Sequence, residues 1–340
     1  MFCCPNCFTH AFLKDHIKKT SKQDGKCSFC SYKRVSPLLT PAVLIDLFQP
    51  LFDLYVEESG GRPLNELLQV DWHVFSKHID KKKQLQLVSK IAGLKVLNSQ
   101  RFISTLVMNN EFIDRWDAFT NELKHENRFF PKKNIDTNQL SELFNYLIMP
   151  KEQKFKHVFR ARINHRSEIL PITEMGKPPL EKSIDGRANP KGISYFYAAS
   201  DEKTTIAEIR PYKTETVCVA KYQVNPKISL IDLRAPKSTI SPFGLDDDSL
   251  SLLYKEHMPF LVLLGDVLSK PILPQKKELE YLPTQYLCEM IKNYNFNGIV
   301  FKSSLEKGDN CVFFDDSFLK GIKVETFIVT ETSVKSVKEA

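Results

Sequence analysis

The chain has 340 residues, of which 42% are hydrophobic and 26% are charged. It is longer than an ordinary single domain and has the composition of a globular protein, so we expect several folded domains rather than a disordered or fibrous chain. No apolar run approaches the roughly 20 residues that a membrane-spanning helix needs, and the first residues lack the basic and apolar segments of a secretory signal. We therefore expect a cytoplasmic protein without a membrane partner, whose cysteines are thiols or metal ligands rather than disulfides.

Two Cys-x-x-Cys motifs near the start are separated by 19 residues, a spacing that can surround one tetrahedral Zn²⁺ with four thiolates. A segment of about 35 residues buries too little core to fold unaided, so a metal would stabilise it. We predict that residues 1–36 form a zinc ribbon with a structural Zn²⁺. The predicted ligands are Cys4, Cys7, Cys27 and Cys30. Substitute ligands nearby are Cys3, His10 and His16. A redox role for one motif is the alternative, and the presence of a second motif argues against it.

The same segment is strongly basic. Residues 1–36 contain seven Lys or Arg against two Asp, within a chain of formal net charge +7. Such a surface could contact nucleic acid or an acidic partner. Four thiolates around Zn²⁺ contribute negative charge and offset part of this excess, so we favour a structural segment over a nucleic-acid interface.

Residues 37–150 are predicted to form an all-α domain. Thr40 and Pro41 suit the start of a helix, and apolar residues then recur at helical spacing as far as Val56, before Gly60 and Gly61. Further helices are expected at 63–68, 84–94, 109–126 and 138–147. No convincing strand is visible in this region.

Beyond a polar linker at residues 150–156, the pattern changes to short apolar runs. Strands are expected at 158–163, 217–224, 228–233, 298–301, 312–314 and 322–329, with helices at 250–258 and 283–294. Strands outnumber helices and do not alternate regularly with them, which favours an α+β domain over residues 151–340.

One stretch, residues 186–210, concentrates polar groups around a short apolar run. A strand is expected from Ile193 to Ala199, followed by an N-cap at Ser200 or Asp201 and a helix that carries Glu208. Strand parity places Tyr195 and Tyr197 on one face. Such a pair can be core or can wall a pocket that stacks a flat ring, and composition alone favours core.

This stretch resembles the signature of the RES-domain family, named for Arg, Glu and Ser. Similar motifs occur in the family's order over about residues 155–330. They are Phe159-Arg-Ala-Arg162, Gly186-Arg187, Tyr197-Ala-Ala199, Ile206-Ala-Glu208, Tyr281-Leu-Pro-Thr-Gln-Tyr286, Gly298-Ile-Val-Phe-Lys-Ser303 and Gly308-Asp-Asn-Cys-Val-Phe-Phe314. Residues 37–150 likewise resemble the helical HEPN-like domain found ahead of some RES domains. The closely spaced Arg and His of HEPN ribonucleases are missing, so a nuclease is not expected.

The resemblance implies a multidomain protein: a Cys4 zinc ribbon, an all-α HEPN-like domain and an α+β, ADP-ribosyltransferase-like RES domain with a cleft between two small antiparallel sheets. Family members act on NAD⁺ and are often the toxin of a toxin–antitoxin pair. The implied catalytic residues are Arg187, Glu208 and Ser303. The implied substrate-binding residues are Arg160, Tyr197, Tyr195 and Asn310.

We therefore expect an NAD⁺-consuming toxin or defence effector that cleaves the nicotinamide–ribose bond, with water or phosphate as acceptor. Lys302, Lys307 or Arg162 could bind the phosphate. One alternative is an ADP-ribosyltransferase that modifies a macromolecule. The other is a nucleic-acid-binding module without catalysis, built on the zinc ribbon. Expected partners are NAD⁺, an antitoxin or regulatory protein, and a second copy of the chain.

Overall fold

The structure is a computed structural model that describes residues 1–93, 99–105, 110–133, 135–245 and 247–332. The chain divides into two compact units, each built from two segments. Unit 1 comprises Met1–Ile113 and Ala235–Val262, and unit 2 comprises Asp114–Arg234 and Leu263–Ala340.

The described residues form helices and strands with the following bounds. The helices are α1 Ala11–Thr20, α2 Ile45–Phe52, α3 Leu64–Trp72, α4 Lys81–Ile91, α5 Glu111–His125, α6 Thr137–Tyr146, α7 Glu202–Glu208, α8 Pro236–Thr239, α9 Asp247–Leu252, α10 Met258–Ser269, α11 Lys277–Glu280 and α12 Leu282–Asn293. The strands are β1 Gln23–Gly25, β2 Ser36–Leu38, β3 Tyr55–Arg62, β4 Phe102–Ser104, β5 His157–Ile163, β6 Phe196–Ala199, β7 Thr216–Val224, β8 Leu230–Asp232, β9 Gly298–Lys302, β10 Asp309–Phe313 and β11 Leu319–Ile328.

Unit 1 has one continuous core, to which residues on both sides of position 36 contribute. Phe8, from the cysteine-rich segment, packs its ring 6.2 Å from that of Phe48 and 6.4 Å from that of Phe75. The core also includes Leu250 and Tyr254, from the segment predicted to belong to the third domain. The cysteine-rich segment is too short to bury a core of its own, so it shares one with the helices that follow.

The prediction of an all-α region was wrong at two places. Helix α2 ends at Phe52, and β3 pairs with β4 in an antiparallel ladder that sets Tyr55 opposite Ser104. The hydroxyl of Tyr55 is buried and donates to Asp71 Oδ2 over 2.8 Å. Gly61 lies so close to the backbone of Phe102 that a Cβ atom would overlap it. The pairing joins residues more than 40 positions apart, so local periodicity did not indicate it.

The helices predicted downstream are confirmed with shifted ends. The region expected at 63–68 is α3, and those expected at 109–126 and 138–147 are α5 and α6. The predicted ends at Leu94 and Asn109 lie outside the described residues. Helices α5, apart from its first turn, and α6 belong to unit 2, so residues 37–150 contribute to both units.

Unit 2 is built on a seven-stranded sheet with the order β11-β7-β5-β6-β10-β9-β8. All neighbouring strands are antiparallel except the parallel pair β8–β9. The expectation of two separate sheets is therefore corrected to one sheet with a weak joint. Strands β5 and β7 pair over seven residues, whereas β5 and β6 are joined by the single pair Phe159–Ala199.

Because β5 and β6 share only one residue pair, the rest of this edge of β5 is not paired with β6 and is partly covered by α7. Asp201 caps α7 by accepting from Thr204 N over 2.9 Å, as the sequence predicted. Thr205 Oγ accepts the backbone N–H of Ala161 over 3.0 Å. The N–H of Ala161, which has no partner on β6, is thereby satisfied by a side chain of α7. This hydrogen bond also fixes the end of α7 next to β5.

Candidate active site

A cavity of about 500 Å³ lies at the joint between β5 and β6. Its walls come from β5, β6, the end of α7, the loop before β6, the segment 272–281 that precedes α12, the strands β9 and β10, and the loop between these two strands. It is lined by Arg160, Ala161, Arg187, Tyr197, Ala198, Ala199, Thr205, Glu208, Ile209, Arg210, Ile272, Lys277, Tyr281, Phe301, Ser304, Leu305 and Asn310. Five of the seven residues expected to be catalytic or substrate-binding therefore line one cavity.

Glu208 is the carboxylate of this cavity. Its Oε1 accepts from Ser303 Oγ over 2.6 Å and from Asn310 Nδ2 over 2.7 Å. Ser303 follows β9 and also accepts from the N–H groups of Leu305 and Glu306, so its one O–H proton is directed to the carboxylate. Two side chains that follow Glu208 by 95 and 102 positions thus hold one of its carboxylate oxygens in place.

Arg187 is half-buried and is held through both its side chain and its backbone. Its Nη1 donates to Val267 O over 3.1 Å, and its guanidinium lies 5.6 Å from the ring centroid of Tyr281. Burial lowers the pKa of Arg187, while the nearby Tyr281 and Glu208 oppose that shift. A cation next to an aromatic face and a carboxylate is suited to bind an anionic group through its remaining donors.

Arg160 enters the same cavity from β5. Its Nη1 donates to Tyr197 O over 2.7 Å, and its guanidinium lies 5.0 Å from the ring centroid of Phe196. Burial and the neighbouring Arg162 lower its pKa to about 10, so it remains charged at neutral pH. Its Nε is buried without a hydrogen-bond partner.

Tyr197 lines the cavity with its ring, but its hydroxyl is engaged by the protein. The O–H donates to Asn189 Oδ1 over 2.6 Å and accepts from Ala188 N over 3.0 Å. Burial raises the pKa of this phenol. The expected contact between this hydroxyl and a ribose therefore competes with two existing bonds, whereas ring stacking remains available.

Tyr195 is placed differently from its predicted partner. Strand β6 begins at Phe196, one residue after Tyr195, and the Tyr195 side chain is 1% exposed. Its ring lies 4.9 Å from that of Phe314 and 5.2 Å from the ammonium of Lys292. Tyr195 borders a second cavity of about 570 Å³, which shares Arg160, Ala161, Tyr197 and Ile209 with the first.

Two basic residues and one tyrosine of the cavity lining were not predicted as site residues: Arg210, Lys277 and Tyr281. Arg210 follows α7 with φ of 48°, a left-handed conformation that is uncommon outside glycine. The motif Tyr281–Tyr286 was noticed, but nothing local indicated its role. With Arg160 and Arg187, the basic residues outnumber the single acidic residue Glu208 in the lining, so the cavity favours an anionic ligand.

The three lysine and arginine residues considered for phosphate lie apart from this lining. Arg162 donates to Gly176 O over 2.7 Å and lines the second cavity. Lys302 and Lys307 are exposed.

The four predicted metal ligands of unit 1 converge on one point. The Sγ atoms of Cys4, Cys7, Cys27 and Cys30 all lie within 4.8 Å of one another, with Cys4–Cys30 at 3.5 Å and Cys7–Cys27 at 3.4 Å. A tetrahedron with Zn–S bonds of about 2.3 Å has edges of roughly 3.8 Å, so the set fits zinc. Cys3 Sγ instead donates to Leu39 O over 3.3 Å.

Residues 157–330 match the profile of the RES domain. The chain belongs to the RES domain family. The match spans strands β5 to β11 and therefore contains the entire lining of the 500 Å³ cavity. Glu208 and Ser303, which were expected to be catalytic, are joined by the 2.6 Å hydrogen bond, and Arg187 lines the same cavity.

Among solved structures, this RES-domain chain is similar to the crystal structure of the M. tuberculosis MbcT–MbcA toxin–antitoxin complex. The identity is 11%, the TM-score is 0.35, and the match covers 57% of this chain and 93% of that chain. No curated protein matches the chain. Within the part of the chain that the structure describes, no helix is long and apolar enough to cross a bilayer.

Proposed function

We propose that this RES-domain protein binds NAD⁺ in the 500 Å³ cavity and cleaves its nicotinamide–ribose bond. The observation that carries the proposal is the arrangement at Glu208: one carboxylate, fixed by Ser303 and Asn310, in a cavity otherwise lined by basic and aromatic residues. NAD⁺ has a complementary pattern, since it combines an anionic pyrophosphate with a ribose that becomes positively charged as nicotinamide leaves.

Glu208 is assigned to the reacting ribose. Its Oε1 is occupied by two donors, which leaves Oε2 to accept a ribose hydroxyl. As an anion next to C1, the carboxylate would stabilise the positive charge that develops when the glycosidic bond breaks. Ser303 and Asn310 would fix the rotamer of Glu208 rather than contact the bond that breaks.

Arg160 and Arg187 are assigned to the pyrophosphate. A planar guanidinium offers parallel N–H donors that match phosphate oxygens. Arg160 lines the cavity from β5, and the Arg187 side chain makes one hydrogen bond to the protein, from Nη1 to Val267 O. The ring of Tyr197, whose hydroxyl is engaged, is assigned to stacking against the nicotinamide or ribose. Tyr195 would border the end of the ligand from the second cavity.

The acceptor is water or inorganic phosphate, giving ADP-ribose or ADP-ribose 1″-phosphate. Arg210 and Lys277 are the cavity cations left free by the other assignments, and they are the proposed contacts of an anionic acceptor. Transfer to a macromolecule is the third outcome of the same bond cleavage.

The test is an incubation of the purified protein with NAD⁺, with and without phosphate, with products identified by mass. We expect nicotinamide release together with one of the two ADP-ribose products. Label from NAD⁺ recovered on protein or nucleic acid would reassign the enzyme as a transferase. Intact NAD⁺ in every arm, with a folded and zinc-loaded protein, would reject the proposal.

The family resemblance extends the proposal to the protein's setting. We propose a toxin or defence effector of the cytoplasm that an antitoxin or regulatory protein restrains, with a structural Zn²⁺ in unit 1. Coexpression with NAD⁺ measurement in cells tests this part, because an active toxin should deplete NAD⁺ and a Glu208→Gln variant should not.

A further inference from the structure

The loop that carries Arg187 is held by a second group of side chains at the start of α12. Gln285 Nε2 donates to Gly186 O over 2.9 Å and to Asn189 O over 3.0 Å, so one amide bridges both sides of Arg187. Thr284 Oγ donates to Arg187 O over 2.6 Å. Both side chains are buried, at 7% and 0% exposure.

The other face of the loop is fixed from within. Asn189 Nδ2, which has two protons, lies within hydrogen-bond distance of the carbonyl oxygens of Ile184, Pro190 and Ile193, and its Oδ1 accepts from Tyr197. Gly186 N donates to Asn189 O over 2.9 Å. A Cβ on Gly186 would overlap Asn189 Oδ1 and the Tyr197 hydroxyl, so a larger residue there would displace the loop.

The position of the Arg187 backbone therefore depends on its hydrogen bonds to α12. Carbonyl oxygens on three of the four loop residues, Gly186, Arg187 and Asn189, accept from Thr284 or Gln285. The same helix start places Tyr281 under the guanidinium. Buried, satisfied polar networks of this kind fix a single geometry, and their partial loss leaves carbonyl groups unpaired.

We propose that Thr284 and Gln285 are positioning residues for Arg187. Neither side chain lines the cavity; each sets where the guanidinium enters it. The inference rests on the proposed function for its kinetic consequence, because Arg187 is there assigned to the substrate pyrophosphate. Its structural step, fixation of the loop by α12, stands independently of that function.

The first test compares Gln285→Leu with Gln84→Leu. Gln84 is a matched control: it lies in unit 1, is 8% exposed and donates to Ile79 O over 3.1 Å. We expect Gln285→Leu to lower kcat/KM for NAD⁺ about 10- to 100-fold, because misplacement of a binding group by about 1 Å has effects of this order. Gln84→Leu should lower Tm with kcat/KM within about twofold of wild type. Equal kcat/KM for Gln285→Leu and wild type would overturn the proposal.

A double-mutant cycle separates action through Arg187 from general damage. ADP-ribose affinity is measured for wild type, Gln285→Leu, Arg187→Ala and the double variant. If Gln285 acts through Arg187, Gln285→Leu should weaken binding in the wild-type background and change it little in the Arg187→Ala background. Equal, additive losses in both backgrounds would overturn the assignment.

Thr284 keeps the proposal testable if Gln285→Leu fails to fold. Thr284→Val preserves shape and removes the hydroxyl, whereas Thr284→Ser retains it. We expect Thr284→Ser to restore most of the kcat/KM that Thr284→Val loses. Equal activity of the two variants would contradict a role for the hydroxyl.

Hydrogen exchange tests the structural step without reference to catalysis. The Gly186 and Ala188 amides, bonded to Asn189 O and the Tyr197 hydroxyl, should exchange about 10-fold faster or more in Gln285→Leu than in wild type. Unchanged exchange would overturn the positioning role. Faster exchange in a protein that leaves NAD⁺ intact would uphold it and reject the proposed function alone.

Discussion

Each unit brings together a small set of polar side chains from distant parts of its sequence. The two sets differ in whether they enclose a space large enough for a ligand. In unit 1, four sulfur atoms converge on a single point and two of their residues are fully buried. In unit 2, a carboxylate and several cations surround a cavity of about 500 Å³. A set that satisfies itself around one ion is suited to hold a fold together, whereas a set arranged around a space is suited to bind a ligand.

The two sets also differ in the hydrogen bonds that their polar atoms make within the protein. Cys27 Sγ accepts from the amides of Phe29 and Cys30, which stabilises a thiolate inside a closed cluster. Arg160 keeps a buried Nε without a partner at the cavity. Changes to the first set should therefore alter folding, and changes to the second should alter ligand chemistry.

The largest expected effect comes from removing one ligand of the four-cysteine cluster in unit 1. Cys27→Ser should lower zinc content from one ion per chain to near zero and unfold much of unit 1, because structural zinc contributes about 10 kcal/mol or more in isolated fingers. Zinc analysis and the fluorescence of buried Trp72, measured in a Trp116→Phe background, report the outcome. Cys3→Ser is the matched control, since Cys3 Sγ bonds to Leu39 O. A fully zinc-loaded Cys27→Ser protein would show that the cluster is not the metal site.

Glu208→Gln, at the cavity of unit 2, should reduce activity and leave stability nearly unchanged. We expect nicotinamide release to fall on the order of 10²- to 10³-fold, because the negative charge that stabilises the transition state is lost. The Tm should stay within a few degrees of wild type, since Glu208 is exposed. Glu202→Gln, on the same helix, should retain activity. Comparable turnover by Glu208→Gln and wild type would remove this residue from the site.

Acid should affect unit 1 through His10. Its Nε2 donates to Trp72 O over 2.7 Å, its Nδ1 is buried without a partner, and burial lowers its pKa to about 4. The unfolded chain binds a proton below about pH 6.5, which the folded chain does not accept until about pH 4. Stability should therefore fall as pH decreases across this window, by up to about 3 kcal/mol.

Denaturant unfolding of unit 1 at several pH values, with zinc content checked, measures this slope. His10→Gln removes the titrating group and should flatten the stability curve between pH 6.5 and pH 4. An equal slope in His10→Gln and wild type would attribute the acid sensitivity to other groups.

Arg187→Lys tests whether NAD⁺ binding needs the guanidinium group or only its charge, and its expected effect is the smallest of these predictions. The charge remains, but the parallel donors and the planar face over Tyr281 are lost. We expect KM for NAD⁺ to rise about 10-fold, in line with about 1.5 kcal/mol for a charge-assisted hydrogen bond. Arg166→Lys is the control, because Arg166 pairs with Glu174 at an exposed position and should leave KM unchanged. An unchanged KM in Arg187→Lys would argue that charge alone is needed there.

The sequence predicted those features that local chemistry determines. The cap at Asp201, the helix that carries Glu208 and the strands predicted at 158–163 and 217–224 follow from capping preference and apolar patterning. The convergence of Arg187, Glu208 and Asn310 was expected because their motifs matched a family signature, and spacing alone did not supply it.

What the sequence missed depends on distant pairing. Three features join segments about 40 to 240 positions apart: the β3–β4 ladder, the return of residues 235–262 to the core of unit 1, and the bridge from Gln285 to Gly186 and Asn189. The hydrogen bond of the Tyr197 hydroxyl was missed for a different reason, because its partner Asn189 is only eight positions away and contacts it only after the loop folds back.

A crystal structure of Glu208→Gln soaked with NAD⁺ tests the central claim most directly. The account predicts an intact dinucleotide in the 500 Å³ cavity, with its pyrophosphate bonded to Arg160 and Arg187 and its nicotinamide-side ribose next to residue 208. A dinucleotide bound elsewhere, or one whose pyrophosphate contacts neither arginine, would contradict it.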